Sequence, residues 1–247
     1  MRLTFLGTSH GVPAPDRFCT ATLLECGGRA YLIDAGAPVA DLLIRYGIPF
    51  EKLRAVFLTH LHGDHTAGFT QLYSLSNWYF TKSDWDAFFP EQSGIDAFQS
   101  LLLVNHETPN AVRLRLHLTA PGLVFSDEGL RVTAIPTRHL ESCDAPSFAY
   151  QIEGEGKRLI FTGDLHGPDA SDFPAIAELE QSDAVICEMA HFGPEAIFPH
   201  VKKCPTRHFF FHHVWHDYEK SMAAIHTLDG TLPFPVTAVS DGDSFEL

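Results

Sequence analysis

Thr59-His60-Leu61-His62-Gly63-Asp64-His65 places three imidazoles and one carboxylate between positions 60 and 65, directly after the apolar run Leu53-Arg54-Ala55-Val56-Phe57-Leu58. With 15 histidines in 247 residues, such a cluster is a poor candidate for chance. It reads as a buried strand that ends and releases metal ligands. Side chains alternate along an extended segment, so His60 and His62 point to one side and can grip one ion. Asp64 and His65 follow where the chain turns into a helix, point elsewhere, and suit a second ion nearby. Imidazole with carboxylate fits Zn²⁺, with Mn²⁺ or Fe as alternatives, and the absence of Cys from the cluster argues against a closed structural zinc site.

A site for two ions needs further donors, and the chain offers them just past other apolar runs. His139 follows the run 132–138, Asp164 follows Leu159-Ile160-Phe161-Thr162-Gly163, and His213 follows Phe209-Phe210-Phe211-His212. A carboxylate at Asp164 could bridge two ions. His212 rivals His213, since both follow Phe211. Asp34, ahead of Ala35-Gly36, is a candidate acceptor supporting the ligand loop. His10 lies in a Gly/Pro-rich loop, and His191, His200 and His216 are candidates to protonate a leaving group.

Around these motifs the pattern is mixed α/β. Strands are expected at 3–6, 20–26, 30–33, 55–58, 78–80, 112–118, 130–135, 147–152, 158–161, 184–187, 209–211 and 236–239. The segments 20–26 and 30–33 flank Gly27-Gly28 as a hairpin. Helices are expected at 39–46, 66–75, 176–179 and 218–228, with helical pieces over 82–104 broken at Pro90 and Gly94. The aromatic-rich stretch 78–98 could be core, pocket lining or an interface. No linker, charge run or short repeat divides the chain, so one layered domain over 1–247 is the economical reading.

Composition narrows the partners. Lys and Arg number 17 against 31 Asp and Glu, a net charge of −14, which disfavours a generic nucleic-acid surface. The five cysteines are scattered without a C-x-x-C pair, which favours a reducing cytoplasm. Neither a signal peptide nor a membrane span is expected.

Leu58 to Gly68 resembles the signature of the metallo-β-lactamase superfamily, and Thr162-Gly163-Asp164 with His139 and His213 fall in the order that superfamily uses. Residues 3–68 resemble its ribonuclease Z-like branch more narrowly, through Leu6-Gly7-Thr8, Pro13, Arg17 and Ile33-Asp34-Ala35-Gly36. The resemblance implies a four-layered αββα sandwich with two divalent metal ions at one edge. His60, His62 and His139 would hold one ion, Asp64, His65 and His213 the other, and Asp164 would bridge. A hydroxide between the ions would be the nucleophile, with Asp64 orienting it or accepting its proton.

Departures from that branch limit the substrate. Where its pattern has His-Glu-Ala-Thr, this chain has Cys187-Glu188-Met189-Ala190, which keeps only Glu188, with His191 close behind. The usual aromatic-Ser-x-Arg-Tyr becomes Val214-Trp215-His216-Asp217-Tyr218, and no basic arm for a tRNA elbow is found. The glyoxalase-type and lactamase branches match less well at His139 and Asp164. The expected protein is a metal-dependent hydrolase of a small or short phosphodiester, with Asp64, Glu188 and His191 catalytic. The alternatives are a tRNA 3′-processing endonuclease and a non-catalytic metal-dependent nucleotide-binding or sensor module. A homodimer stays open.

Overall fold

The computed structural model describes residues 1–12, 14–107, 113–215 and 218–247. The first half builds one sheet. Strands β1 (Arg2–Gly7), β2 (Ala21–Cys26) and β3 (Arg29–Ile33) are antiparallel neighbours, with Gly27 and Gly28 closing the expected hairpin. Helix α1 (Val39–Arg45) returns the chain to β4 (Leu53–Phe57), which lies parallel to β3. After α2 (Gly63–Thr66) and α3 (Phe69–Trp78) come β5 (Asp84–Phe89), α4 (Gln92–Val104) and β6 (Arg113–Leu118).

The second half builds another sheet. Its strands are β7 (Gly122–Ser126), β8 (Arg131–Thr137), β9 (Ser147–Gly154), β10 (Lys157–Phe161), β11 (Ala184–Met189), β12 (Phe209–Val214) and β13 (Val236–Ala238). Helices α5 (Ala175–Leu179), α6 (Pro194–Val201) and α7 (Tyr218–Leu228) lie between the later strands. Finally β14 (Ser244–Glu246) crosses to pair with β1. The orders are β14-β1-β2-β3-β4-β5-β6 and β13-β12-β11-β10-β9-β8-β7, seven strands each.

Three apolar layers hold this together, as an αββα sandwich requires. Leu3, Phe5, Phe57, Tyr150, Phe161 and Phe210 meet between the two sheets, with Phe5 and Phe210 ring centroids 5.6 Å apart. The outer face of the first sheet packs α1, α3 and α4 through Leu42, Leu72 and Phe98, and that of the second packs α5, α6 and α7 through Ala177, Ile197 and Ile225. Burying each large side chain is worth about 1.5–3 kcal/mol, an upper figure because the unfolded chain is already partly collapsed. The four-layered architecture expected from the resemblance is the one observed. Among the described residues no helix is long and apolar enough to cross a membrane.

Several local expectations need correction. Residues 78–80 are no strand: Trp78 ends α3 and the Tyr79 N–H still donates to the Leu75 carbonyl. Within 82–104, the segment Asp84–Phe89 is a parallel strand rather than a helix, and Gly94 lies inside α4 rather than breaking it. Trp85, Phe88 and Phe89 mimic helical spacing because a strand covered on both faces is apolar on both. The helix expected at 66–75 is split at Gly68, where a Cβ would stand 2.9 Å from the Ala35 and Gly36 carbonyl oxygens. Strands β7 and β14 and helix α6 had no expectation. Val112, at the start of the strand expected at 112–118, lies outside the described residues.

Candidate metal centre

The two sheets present their strand ends at a common edge, which is where α/β proteins place ligands. Two hydrogen bonds lock that edge: Phe148 N–H donates to the Thr59 carbonyl at 2.9 Å, and the Tyr150 hydroxyl donates to the Leu58 carbonyl at 2.8 Å. The loop carrying the histidine cluster is thereby fixed against β9.

Asp34 organises the cluster from beneath. It follows β3 in a left-handed conformation (φ 61°) that Asp tolerates better than most side chains. Its buried carboxylate accepts the Thr59 N–H at 2.8 Å, the Thr59 hydroxyl at 3.0 Å and the His65 Nδ1–H at 2.7 Å. With the His65 Nδ1–H held by Asp34, Nε2 is left to face the site. Burial opposes a charge on this imidazole, yet the Asp164 and Asp34 carboxylates raise it well above its ordinary range. With the Thr59 hydroxyl proton on Asp34, its oxygen can accept the His60 Nδ1–H at 3.1 Å, and His60 Nε2 is freed in the same way. His139 donates Nδ1–H to the Leu165 carbonyl at 3.2 Å, so its Nε2 also faces inward, 3.3 Å from His62 Nδ1. These are the carboxylate–histidine and carbonyl–histidine arrangements that orient metal-binding imidazoles.

Asp164 occupies the middle. Gly163 (φ 58°) makes the turn, and a Cβ there would stand 2.7 Å from the Phe148 carbonyl oxygen. Asp164 Oδ2 lies 3.7 Å from His60 Nε2, 3.5 Å from His65 Nε2 and 3.8 Å from His139 Nε2, while Oδ1 lies 3.9 Å from His213 Nδ1. Asp64 Oδ2 stands 3.1 Å from His213 Nε2 and 3.5 Å from His65 Nε2. Three overlapping groups result, each with donor atoms within 4.8 Å of one another: His60, His62, His139 and Asp164; Asp64, His65 and His213; and Asp164, Glu188, His191 and His213.

His213 enters through a defect in the sheet. Glu188 pairs with His212 and Met189 with Val214, so His213 is an extra residue, bulged out at φ 51° with its N–H donating to the Thr8 carbonyl at 2.9 Å. Bulges of this kind re-aim a side chain next to a site. His212 instead points between the sheets beside Phe5, ring centroids 6.2 Å apart, where burial pushes its pKa down to about 3. Of the two rivals, the structure brings His213 to the cluster.

Glu188, next to last in β11, is fully buried. Its carboxylate accepts the Leu165 N–H at 2.9 Å and the Ala190 N–H at 2.7 Å, and lies 2.9 Å from His191 Nδ1. Burial opposes a charge on His191, but the Glu188 hydrogen bond outweighs it and raises the imidazole to about 9. About a third exposed, His191 lines the cleft. Burial holds His60, His62 and His139 below the ordinary imidazole range, neutral and ready to ligate. Burial also disfavours the charged form of Asp164, yet the surrounding imidazoles, His213 and His65 foremost, hold its carboxyl well below the usual range.

The donor set fits metal ions. Among the described residues His60 Nε2 and His213 Nδ1 are buried without a hydrogen-bond partner, and imidazole nitrogens face each other at 3.3 Å in two places. Cations between these lone pairs and carboxylates satisfy both features. A cleft of about 410 Å³ opens onto the cluster, lined among others by His10, Gly11, Ala190, His191 and Trp215. A larger hollow of about 480 Å³ near Lys157 and Arg207 lacks imidazoles.

Of the other candidates, His200 falls outside the cluster. His200 pairs with Glu178 at 2.6 Å on α6 and stacks on Phe173. His216 lies outside the described residues. The sequence reading missed Thr59, which couples Asp34 to His60, and the carbonyls of Thr8 and Leu165. Backbone acceptors leave no mark in residue type. Trp215 registered only as a departure from pattern.

The fold is that of metallo-β-lactamase-fold proteins, and the order of the site residues resembles the ribonuclease Z-like branch. More narrowly, the chain belongs to the family described as the anti-Pycsar protein Apyc1, whose model matches residues 1–202. Among curated relatives, ribonuclease Z of Acaryochloris marina is 31% identical over 155 residues, 62% of this chain and 48% of that protein. Ribonuclease Z of Shouchella clausii is 31% identical over 189 residues, 75% and 59% respectively. The chain thus spans about half the length of the relatives it matches. Among solved structures, the short form of human tRNase Z aligns with a TM-score of 0.77 at 21% identity, covering 100% of this chain and 99% of that one. A diphosphatase of the PhnP family aligns at 0.72 and 17% identity, covering 100% and 97%.

Proposed function

We propose that this chain is a metal-dependent phosphodiesterase acting on a small or short phosphodiester. The supporting observation is the convergence of six donors from both sheets around Asp164, with the Glu188–His191 pair beside them at the cleft. His60, His62 and His139 would hold one divalent ion, Asp64, His65 and His213 a second, and Asp164 would lie between them. Zn²⁺ suits this set, with Mn²⁺ or Fe as alternatives. Bound ions of this type lower the pKa of water towards neutrality and stabilise charge developing on a phosphoryl group. Because both sheets contribute donors, residues 1–247 act as one domain. Five free cysteines agree with a cytoplasmic setting.

Hydrolysis forms a bond from a water oxygen to phosphorus and breaks one to an ester oxygen. Asp64, which lines the cleft, would orient the attacking water and take its proton. His191 is placed to deliver a proton to the departing oxygen, and Glu188 holds that imidazole charged and aimed. The test is hydrolysis of bis-p-nitrophenyl phosphate by protein purified without chelator, with metal content measured on the same sample. Stoichiometric Zn, Mn or Fe and turnover abolished by Asp64→Ala in a folded protein are expected. Protein that binds metal but never turns over any diester would instead be a binding or sensor module.

A second reading is tRNA 3′ processing, favoured by the identity to ribonuclease Z. Net charge −14 weighs against an RNA-sized surface. Precursor tRNA left intact by protein that hydrolyses the small diester would remove this reading.

A further inference from the structure

We infer that Trp215, braced by His10, is a stacking platform that selects phosphodiesters carrying a planar aromatic ester group. The inference rests on the phosphodiesterase reading and names the specificity of that same site. All residues of β12 are buried, yet Trp215, the next residue, is 43% exposed. Its ring shares the 410 Å³ cleft with His62, Asp64, Asp164, His191 and His213, so apolar surface is left open beside the metal-binding donors.

The platform is held in place from two sides. Trp215 N–H donates to the Met189 carbonyl at 3.2 Å, tying its backbone to β11. The His10 ring lies against the indole with centroids 3.8 Å apart at 57°, and His10 is itself fixed by Val12 N–H donating to its Nδ1 at 3.1 Å. Burial lowers His10 to about 4, so the brace is neutral and does not compete for an anion. On the same loop, the Arg17 guanidinium sits 4.1 Å above the Tyr218 ring, and its charge is felt at His10. An open indole braced by a second ring, beside a floor of carboxylates and imidazoles, suits one ligand chemistry: an aromatic ring joined to a phosphate. Trp215 stands where the resembling pattern has Ser, so this platform belongs to the present chain rather than to that pattern.

Titration calorimetry of the purified protein with phenyl phosphate and with methyl phosphate reads the platform without requiring turnover. Phenyl phosphate is expected to bind at least about fivefold more tightly, the lower end of what stacking on an aromatic side chain contributes. Trp215→Ala should erase that preference while leaving methyl phosphate affinity in place, and Trp215→Phe should restore most of it. Equal affinities in the unaltered protein, or a parallel loss for both ligands in Trp215→Ala, would overturn the platform. Hydrolysis of bis-p-nitrophenyl phosphate without a phenyl preference rejects the platform and keeps the phosphodiesterase. A phenyl preference without turnover rejects the phosphodiesterase and keeps the platform as a binding site.

Discussion

The two sheets supply the candidate site in opposite ways. The first sheet gives His60, His62, Asp64 and His65 from one continuous segment after β4, held from beneath by Asp34 at the end of β3. The second gives His139, Asp164, Glu188, His191 and His213 from the ends of four strands that are far apart in sequence. The first wall is therefore set by local geometry and one supporting carboxylate. The second is set by strand register, and a single bulge decides which of two adjacent histidines faces the donors. A local motif can be broken at one contact, whereas a register-built wall breaks wherever its central residue is removed.

The largest expected effect is at Asp164, where both walls meet. Asp164→Asn should lower turnover of bis-p-nitrophenyl phosphate by at least about 10³-fold and reduce bound metal measured by elemental analysis. Retained metal with unchanged activity would show that the two walls do not share this carboxylate. Next, His191→Ala should reduce kcat by roughly 10²-fold with metal content retained, the range expected for loss of a general acid. Loss of metal in that variant would move His191 from proton donor to ligand.

On the first wall, Asp34→Ala should weaken metal affinity by about 10–100-fold, since it releases the orientation of His65 and Thr59 together. Competition with a chelator of known affinity measures this, and an unchanged affinity would mean the imidazoles are fixed by packing alone. The smallest effect should come from the rejected rival. His212→Leu should keep metal and activity and stabilise the fold by about 1 kcal/mol, because a buried Nδ1 without a partner is replaced by an apolar group. Its thermal midpoint against that of the unaltered protein decides the sign, whereas His213→Ala should lose activity outright.

Different parts of the molecule were legible to different degrees. The hairpin around Gly27-Gly28 and the all-apolar segments of β10 and β11 announce themselves, because a turn residue or a fully buried run leaves few other options. Strand β5 does not, since Trp85, Phe88 and Phe89 satisfy a helical period as well as a buried parallel strand. Strand β7 and β14 are short edges whose existence depends on a neighbour to pair with, and α6 contains Pro199 within only eight residues. Asp34 and the histidine cluster were readable as candidates because carboxylate and imidazole at strand ends carry their chemistry in the residue type. Thr59, Thr8 and Leu165 were not, because their roles lie in what happens to face them.

The choice between His212 and His213 marks the boundary most sharply. Residue types alone determined that donors follow β4, β8 and β10 and sit near the end of β12, since a charged or imidazole group at the end of a buried strand must emerge at the sheet edge. Only the tertiary structure decided which of them meet. Facing directions on β12 depend on a one-residue bulge against β11, and the distances to Asp164 depend on two sheets closing over a shared core. Period-two alternation is a property of the sequence, but its phase is fixed by the partner strand.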